Sequence, residues 1–242
     1  MAKPAVIIVG ADKGGVGKTT VTRTLLDYFV AHNVPTRAFD TESPKGTLKR
    51  FHPDVTEVVD VTTIPDQMRI FDTLGGAEAK VTVIDVRAGL LSPTLRALRD
   101  IGFLDVVKKG QVTFSVFHIL GPSITSLDEI SETAPFVGDA KYYLVKNFIN
   151  NTSFFEWDPA TYDAYFHKIK DAVEIAIPKL NEMACEQVEV ASVPFLTFVA
   201  NKTPTGDTAS YSFVLRGYVR NWLGNVWAEY DRIKLKDIAA AK

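Results

Sequence analysis

Residues 5–20, Ala5-Val-Ile-Ile-Val-Gly-Ala-Asp-Lys-Gly-Gly-Val-Gly-Lys-Thr-Thr20, decide the fold of this 242-residue chain. The first five are apolar and mostly β-branched, which predicts a buried strand. A glycine-rich loop follows, and Lys18 begins a stretch with helical periodicity. A strand, such a loop and a helix in this order form the setting in which phosphate-binding loops occur. We therefore predict that residues 13–20 bind phosphate groups.

The residue types in this loop suit a nucleotide. Its glycines allow backbone N–H groups to approach phosphate oxygens closely at a helix N-terminus, which already favours anions. Lys18 is expected to neutralise charge on the β- and γ-phosphates, and the Thr19 hydroxyl to bind Mg²⁺. The predicted nucleotide-binding residues of the loop are Gly14, Gly15, Val16, Gly17, Lys18, Thr19 and Thr20.

The loop departs from the ordinary phosphate-loop pattern, which requires glycine where this chain has Asp12. The variant that it does satisfy is Lys-Gly-Gly-x-Gly-Lys-Thr. This resembles the deviant Walker A motif of the ParA/MinD family of dimerising ATPases, with Lys13 at the family's signature lysine. The resemblance implies that the nucleotide is ATP, that ATP drives formation of a homodimer, and that Lys13 contacts the phosphates bound by the partner subunit.

Residues 39–47, Phe-Asp-Thr-Glu-Ser-Pro-Lys-Gly-Thr, resemble the first switch of that family. Asp40 matches its first acid, and Glu42 stands in place of the second, with Ser43 inserted before the proline. In the family the second acid orients the attacking water, and a carboxylate can do so within hydrogen-bond reach. We therefore expect the catalytic residues to be Lys13, Lys18, Asp40 and Glu42.

A third apolar run, residues 80–84, ends on Asp85. An acid at the carboxyl end of a buried strand lies where open α/β sheets bind ligands, so Asp85 is expected to bind Mg²⁺ together with Thr19. Residues 85–90 resemble the family's second switch, which implies that the Gly89 N–H donates to the γ-phosphate. Arg87 replaces a proline of that switch, and is either a phosphate or partner contact or a surface arginine paired with an acid.

Two further segments suggest adenine recognition by similarity. Residues 144–147 end in Asn147, and one strand of the family likewise ends in asparagine. Residues 192–195 resemble a strand of the family that is followed by Ile-Pro. This second resemblance implies that Pro194 lies at the adenine base. An asparagine amide can offer one donor and one acceptor to the edge of adenine. The alternative for Asn147 is a turn cap at the end of a strand.

Apolar runs alternate with helix-length segments along the whole chain. This pattern predicts one α/β domain over residues 1–242, with a doubly wound, mostly parallel sheet and helices on both faces, as in a SIMIBI-type P-loop NTPase. The predicted strands are residues 5–9, 36–39, 80–84, 112–120, 142–149 and 188–193, with a short one near 58–61. The predicted helices are residues 18–31, 93–107, 124–133, 160–183 and 208–233, with Pro178 interrupting the fourth.

The composition narrows the classes of site and compartment. Cys185 is the only cysteine, which excludes an intramolecular disulfide and a paired-thiol zinc or iron–sulfur site. We expect a reducing, cytoplasmic compartment. The longest apolar stretch near the start, residues 5–11, is shorter than the ~20 residues of a membrane span, and no signal peptide is recognised.

The charge distribution bears on the partners. The net charge is −2, whereas residues 201–242 carry +3. Two functions remain open: an ATPase whose dimer binds nonspecific DNA and moves cargo until an unidentified partner protein stimulates hydrolysis, or a MinD-like module whose tail, residues 230–240, inserts into a membrane. We favour DNA; a metabolic ATP-dependent enzyme is a third possibility. The basic residues expected at the DNA face are Arg216, Arg220, Arg232, Lys234 and Lys236.

Overall fold

A single parallel sheet organises the fold in the computed structural model, which describes residues 3–167, 169 and 171–239. Within these residues the strands lie in the order β3-β2-β4-β1-β5-β6-β7, and every neighbouring pair is parallel. The strands are β1 (Ala5–Gly10), β2 (Thr36–Asp40), β3 (Thr56–Val58), β4 (Val81–Asp85), β5 (Thr113–Leu120), β6 (Lys141–Asn147) and β7 (Val173–Ile177).

Ten α-helices of the described chain lie between the strands or after β7 and cover the sheet. They are α1 (Lys18–Ala31), α2 (Thr47–Phe51), α3 (Ile64–Phe71), α4 (Leu91–Asp100), α5 (Phe103–Lys108), α6 (Ile124–Thr133), α7 (Pro159–Phe166), α8 (Glu182–Ala191), α9 (Phe195–Val199) and α10 (Phe213–Arg232). Short 3₁₀ turns occur at Ala134–Phe136 and Leu235–Ala239.

Both faces of the sheet are buried. Successive residues of β1 alternate between two hydrophobic clusters, with Ile7 and Val9 in one and Val6 and Ile8 in the other. The first cluster is completed by α1, α8, α9 and α10, and the second by helices between α3 and α7. Burial on both faces explains why the strands read as continuous apolar runs, and it confirms the predicted doubly wound fold.

The segment between β6 and α9 was predicted wrongly. Residues 188–193 are not a strand but the end of α8 and the turn after it, while the predicted helix over residues 160–183 contains α7 and the edge strand β7. The β-branched residues of α8 resemble a strand, but the Asn181 side chain starts a helix there by accepting from the Ala184 N–H at 3.1 Å. Pro178 follows β7 rather than interrupting a helix.

Smaller differences concern element ends. The predicted helix over residues 93–107 is two helices, α4 and α5, separated at Gly102 with a φ of +75°. The short strand predicted near residues 58–61 is β3, two residues earlier, and the last helix begins at Phe213 rather than near residue 208.

The chain after α10 folds back onto the protein. Leu235 and Ile238 are buried in the same cluster as α1, and Tyr230 shares a 2.7 Å hydrogen bond with Thr24. These are the apolar residues that a membrane-inserting tail would have to release. Within the described residues, no helix combines the length and the apolar character needed to cross a membrane.

Helix α10 runs antiparallel to β7. The Trp222 indole N–H donates to the Pro178 carbonyl at 2.6 Å. Two turns further along α10, Glu229 accepts a hydrogen bond from the Ala176 N–H at 3.1 Å. Moving along α10 therefore means moving back along β7. The first turns of α10 consequently lie beyond the carboxyl edge of the sheet.

Candidate nucleotide-binding site

The loop between β1 and α1 forms one wall of a cavity of about 400 Å³ at the carboxyl edge of the sheet. Because β1 lies between β4 and β5, the segments that follow β2 and β4 reach the same cavity. It is lined by Gly14, Gly15, Gly17, Lys18, Thr19, Thr20, Asp40, Glu42, Asp85, Val86, Arg87 and Ala88. The structure thus brings together most of the residues predicted from three separate motifs.

The loop is held in place by Asn147, at the end of β6. Its side-chain Nδ2 donates to the Val16 carbonyl at 2.8 Å. A Cβ at Gly17 would lie 2.2 Å from the same Nδ2, and Gly17 has a φ of +89°. Glycine is therefore required here both by the backbone conformation and by the closeness of Asn147. Asn147 is a positioning residue for the loop, and its Oδ1 remains the acceptor for the predicted contact with the base.

The two lysines of the loop are linked to each other. The Lys18 ammonium is buried and donates to the carbonyl of Lys13 at 3.0 Å. Burial lowers the pKa of Lys18, while Asp85, Glu129 and nearby acids oppose that shift. The side chain of Lys13 is half-buried and points to the start of α6, where its Nζ donates to Ser123 Oγ at 2.5 Å.

Thr19 and Asp85 fit the predicted magnesium site. The Thr19 hydroxyl donates to Asp85 Oδ2 at 2.7 Å and the Thr22 hydroxyl to Oδ1 at 2.9 Å. Burial, with a smaller contribution from Asp40, raises the pKa of Asp85 to about 7. Mg²⁺ prefers hydroxyl, carboxylate and water oxygens, and this pair supplies such oxygens at the base of the phosphate loop. A bound cation would favour the ionised carboxylate that burial disfavours.

In the first switch, the two predicted acids have different surroundings. Asp40 is buried, and its carboxylate accepts backbone N–H groups of Glu42 at 2.9 Å and of Leu48 and Lys49 at 2.7 and 3.2 Å. It shapes the switch and caps α2, which is a positioning role, and its predicted part in catalysis stays a prediction. Glu42 lines the cavity and accepts a hydrogen bond from the Thr47 hydroxyl. Its role in orienting water stays a prediction.

The second switch is tied to the loop by its backbone. The Gly89 N–H donates to the Asp12 carbonyl at 2.8 Å, and the Arg87 N–H donates to the Thr41 hydroxyl at 2.9 Å. For the predicted contact with a γ-phosphate, the Gly89 N–H has to leave Asp12. The Arg87 side chain is exposed and lines the cavity, which is compatible with the phosphate or partner contact considered above.

Asp12, the residue that breaks the ordinary loop pattern, has a structural role that the sequence did not reveal. Its Oδ1 accepts the backbone N–H groups of Leu91 and Ser92 at 2.8 and 3.3 Å, which caps α4 directly after the second switch. Its own N–H donates to Glu129 at 2.8 Å. A carboxylate at position 12 thus joins the phosphate loop to the second switch, across 80 residues of sequence.

A second cavity, of about 160 Å³, adjoins the first, since Thr20 lines both. Its walls include Asn147, Pro178, Phe195 and Trp222. Ile177, the last residue of β7, and Pro178 directly after it form an Ile-Pro pair at the end of a strand.

The assignment of Pro194 rested on a strand at residues 192–195 that does not exist. Pro194 precedes α9, and among the described residues of this region it is Phe195, not Pro194, that lines the second cavity. The signal that could have revealed a strand end before Pro178 is the short apolar run of residues 173–177. Its length suits a strand better than the middle of a long helix.

The wall of the second cavity is connected to the first switch through charged side chains. Arg23, buried in α1, lies between the rings of Phe51 and Phe195 and donates to Glu189 at 2.7 Å. Glu189 also pairs with Arg50 of α2 at 2.5 Å. Helices α2 and α8 are thereby joined by one carboxylate.

Solved structures of three proteins share this fold. A putative plasmid partition protein from Borrelia burgdorferi bound to AMPPNP aligns with a TM-score of 0.54 over 95% of this chain and 99% of its own, at 12% identity. A ParA family ATPase from Chlorobium tepidum gives 0.53 over 92% and 99%, at 12% identity. The MinD cell division protein of Aquifex aeolicus gives 0.50 over 91% and 97%, at 14% identity.

Comparison of the sequence alone adds nothing to these structural matches: no protein family model and no curated protein matches the chain. The fold is that of the ParA/MinD-type P-loop ATPases, as the loop motif indicated.

Gly17→Ala tests the contact between the loop and Asn147. We expect nucleotide affinity, measured by calorimetry, to fall about tenfold or more, because the new Cβ meets Asn147 Nδ2 and the positive φ costs about 1–2 kcal/mol. Gly15→Ala is the matched control, since Gly15 also has a positive φ, of +73°, but open space around it. In an Asn147→Ala background, Gly17→Ala should cost less than in the natural chain. Equal losses in both backgrounds would contradict the steric explanation.

The raised pKa of Asp85 predicts a pH dependence of stability. An aspartate in the unfolded chain has a pKa of about 3.9, whereas in the folded protein the pKa of Asp85 is about 7 and its carboxyl group keeps its proton up to that pH. Without metal, the contribution of Asp85 to the free energy of unfolding should therefore be constant below about pH 4 and become increasingly unfavourable as the pH rises towards 7. In Asp85→Asn, urea unfolding should show a less negative slope of this free energy against pH over the same range. A slope identical to that of the natural chain would rule the assignment out.

Asp27→Asn is the control for this measurement. Burial raises the pKa of Asp27 to about 7 as well, so its replacement also makes the slope less negative. Asp27 does not line the cavity next to Thr19. Stabilisation of the protein by Mg²⁺ with nucleotide should therefore persist in Asp27→Asn and be lost in Asp85→Asn.

Proposed function

We propose that this protein is an ATPase whose ATP-bound form is a homodimer, and that it positions plasmid, chromosome or protein cargo. The observation that carries the proposal is the different placement of the two lysines of the loop that forms one wall of the first cavity. Lys18 is buried and lines this cavity, whereas the Lys13 side chain is not part of its lining and bonds to Ser123 instead. Lys18 is thus placed to serve the nucleotide of its own subunit, and Lys13 is the residue available for a second subunit.

The residues divide the work of hydrolysis among them. The loop N–H groups and Lys18 would bind the phosphates, and Thr19 with Asp85 would hold Mg²⁺, which would supply positive charge next to the phosphate oxygens. Glu42 lies on the cavity wall where a carboxylate can orient a water molecule. Lys18 first has to exchange the Lys13 carbonyl for a phosphate oxygen. Its lowered pKa does not prevent this, because phosphate charge favours the ammonium form.

Exposed apolar side chains support association through the same edge of the sheet. Ile64, Ile124 and Ile149 follow the carboxyl ends of β3, β5 and β6, and each is at least 40% exposed. Trp157, in the loop after β6, is 75% exposed. Large apolar groups that gather around a ligand site on an otherwise polar surface indicate a contact with another protein. A second copy of this chain, brought there by its own nucleotide, meets that description.

For the surface on which the dimer acts, we propose nonspecific DNA rather than a membrane. The apolar residues of the tail are buried in the core, so membrane insertion would have to break packing that the fold already uses. The five basic residues predicted at the DNA face do not form one group, however. Arg216 and Arg232 are 16 residues apart on α10, which corresponds to about 24 Å.

The N-terminal half of α10 is the better candidate for DNA contact. Arg220 is exposed in this half of the helix, and so are the rings of Phe213 and Tyr218. Arg232, in contrast, is neutralised by Glu229 at 2.8 Å and donates to the Glu174 carbonyl at 2.6 Å. An unpaired guanidinium contributes more to phosphate binding than one that must first leave a carboxylate. Hydrolysis in this proposal is slow until a partner protein stimulates it.

Lys18→Ala and Lys13→Ala separate the roles of the two lysines. Lys18→Ala should weaken ATP binding about ten- to a hundredfold, because a charge-assisted hydrogen bond is lost. Lys13→Ala should bind ATP as the natural chain does but remain monomeric with Mg²⁺ and a non-hydrolysable ATP analogue, as measured by light scattering. Lys45→Ala, an exposed lysine of the first switch, is the control. A natural chain that stays monomeric under these conditions would refute the dimer.

Arg220→Ala tests the DNA surface. Co-sedimentation with DNA in the presence of the ATP analogue should weaken by about threefold to tenfold, and the slope of affinity against salt should become shallower by about one. Arg232→Ala, with its guanidinium already paired, should change binding little. Binding to anionic liposomes instead of DNA, lost when the tail is removed, would favour the membrane alternative.

A further inference from the structure

The side chain of Lys13 has a partner in its own subunit that the sequence motif does not account for. Its Nζ donates to Ser123 Oγ at 2.5 Å, in the segment between β5 and α6. Ser123 is also the N-cap of α6, where the same oxygen accepts the Ser126 N–H at 3.3 Å. The serine oxygen thus accepts from two donors, one belonging to the helix and one to the phosphate loop.

The surroundings of the hydrogen bond between Lys13 and Ser123 make it easy to break. The N-terminus of a helix carries partial positive charge, and the first turn of α6 contains no acidic residue. An ammonium group at this position therefore gains one hydrogen bond and is opposed by the helix dipole. A triphosphate offers the same ammonium a far more favourable electrostatic interaction. The bond to Ser123 consequently holds the Lys13 ammonium in the isolated chain, but a triphosphate can displace it.

The other end of the same residue is held by Lys18, which donates to the Lys13 carbonyl at 3.0 Å. When Lys18 turns towards a phosphate, the backbone of residue 13 loses that bond. Only the bond to Ser123 then keeps the Lys13 side chain at α6. Binding of nucleotide to one subunit thus leaves a single side-chain hydrogen bond to be broken before Lys13 can move.

We infer that Ser123 is a positioning residue for Lys13: it holds the ammonium within its own subunit and thereby opposes dimer formation until a partner's triphosphate displaces it. This inference rests on the proposed function, because it assigns Lys13 to a second subunit. It goes further in naming a residue outside the loop and both switches that sets how much nucleotide-bound protein is needed for dimers to form. Ser123 itself contacts neither phosphate nor water in this scheme.

The strength of the contact between Lys13 and Ser123 can be measured in the monomer without nucleotide. In a double-mutant cycle of Ser123→Ala and Lys13→Ala, urea unfolding should show a coupling equivalent to about a threefold to tenfold change in the unfolding equilibrium. Ser212→Ala, which removes the equivalent cap of α10, where Ser212 Oγ accepts the Leu215 N–H at 3.3 Å, is the control and should show no coupling to Lys13. Acylation of the Lys13 amine should also be faster in Ser123→Ala.

The consequence for assembly is tested by sedimentation of full-length protein with Mg²⁺ and a non-hydrolysable ATP analogue. Ser123→Ala should form dimers at about a tenfold lower concentration, since one bond per subunit no longer has to be broken. Ser123→Thr keeps the hydroxyl and should behave as the natural chain does.

The outcomes distinguish this inference from the function on which it rests. Dimers of unchanged or weaker affinity in Ser123→Ala, or no coupling in the monomer, would overturn the role of Ser123 while leaving the dimer intact. A natural chain that never dimerises, but shows the coupling, would overturn the proposed function and leave only the contact between Lys13 and Ser123.

Discussion

The position of β1 at the centre of the sheet, between β4 and β5, is the constraint on which the rest of the site depends. Parallel strands deliver the segments that follow them to one edge, and neighbours in the sheet become neighbours at that edge. The phosphate loop after β1 therefore meets Asp85 after β4 and Ser123 after β5. No local property of these three segments brings them together. Strand order alone makes Thr19 a partner of Asp85 and Lys13 a partner of Ser123.

The buried charges of Lys18 and Asp85 at this edge are compensated only in part by other groups of the protein. Lys18 donates to a backbone carbonyl, and Asp85 accepts from two hydroxyls, so neither charge has an oppositely charged partner in direct contact. Their pKa values are shifted towards the neutral forms, as burial demands. Phosphate beside Lys18 and a cation beside Asp85 would reverse both shifts. The site is thus electrostatically incomplete, and the proposed complex of Mg²⁺ with ATP would supply both of the missing charges.

How far the sequence predicts this site depends on the range of the interactions. The loop itself was predictable because its chemistry is contiguous: glycines, Lys18 and Thr19 follow one buried strand. Asp12 was not, since the N–H groups that it caps belong to Leu91 and Ser92. The positions of β7 and α8 were exchanged because β-branched residues in α8 resemble a strand, whereas the Asn181 cap that decides for a helix is a single side chain. The assignment of Pro194 followed from that exchange, whereas it is Pro178 that is found in the wall of the second cavity.

Three sets of side-chain contacts connect the cavities with neighbouring segments. Asp12 ties the loop to the helix after the second switch, and Glu42, with one methylene more than aspartate, reaches the Thr47 hydroxyl at the start of α2. Arg50 in that same helix is joined through Glu189 to Arg23, on the wall of the second cavity. Each of these contacts joins a cavity wall, or the loop beside it, to a neighbouring helix. Such bonds are directional, so each can exchange partners only as a discrete event rather than by gradual deformation.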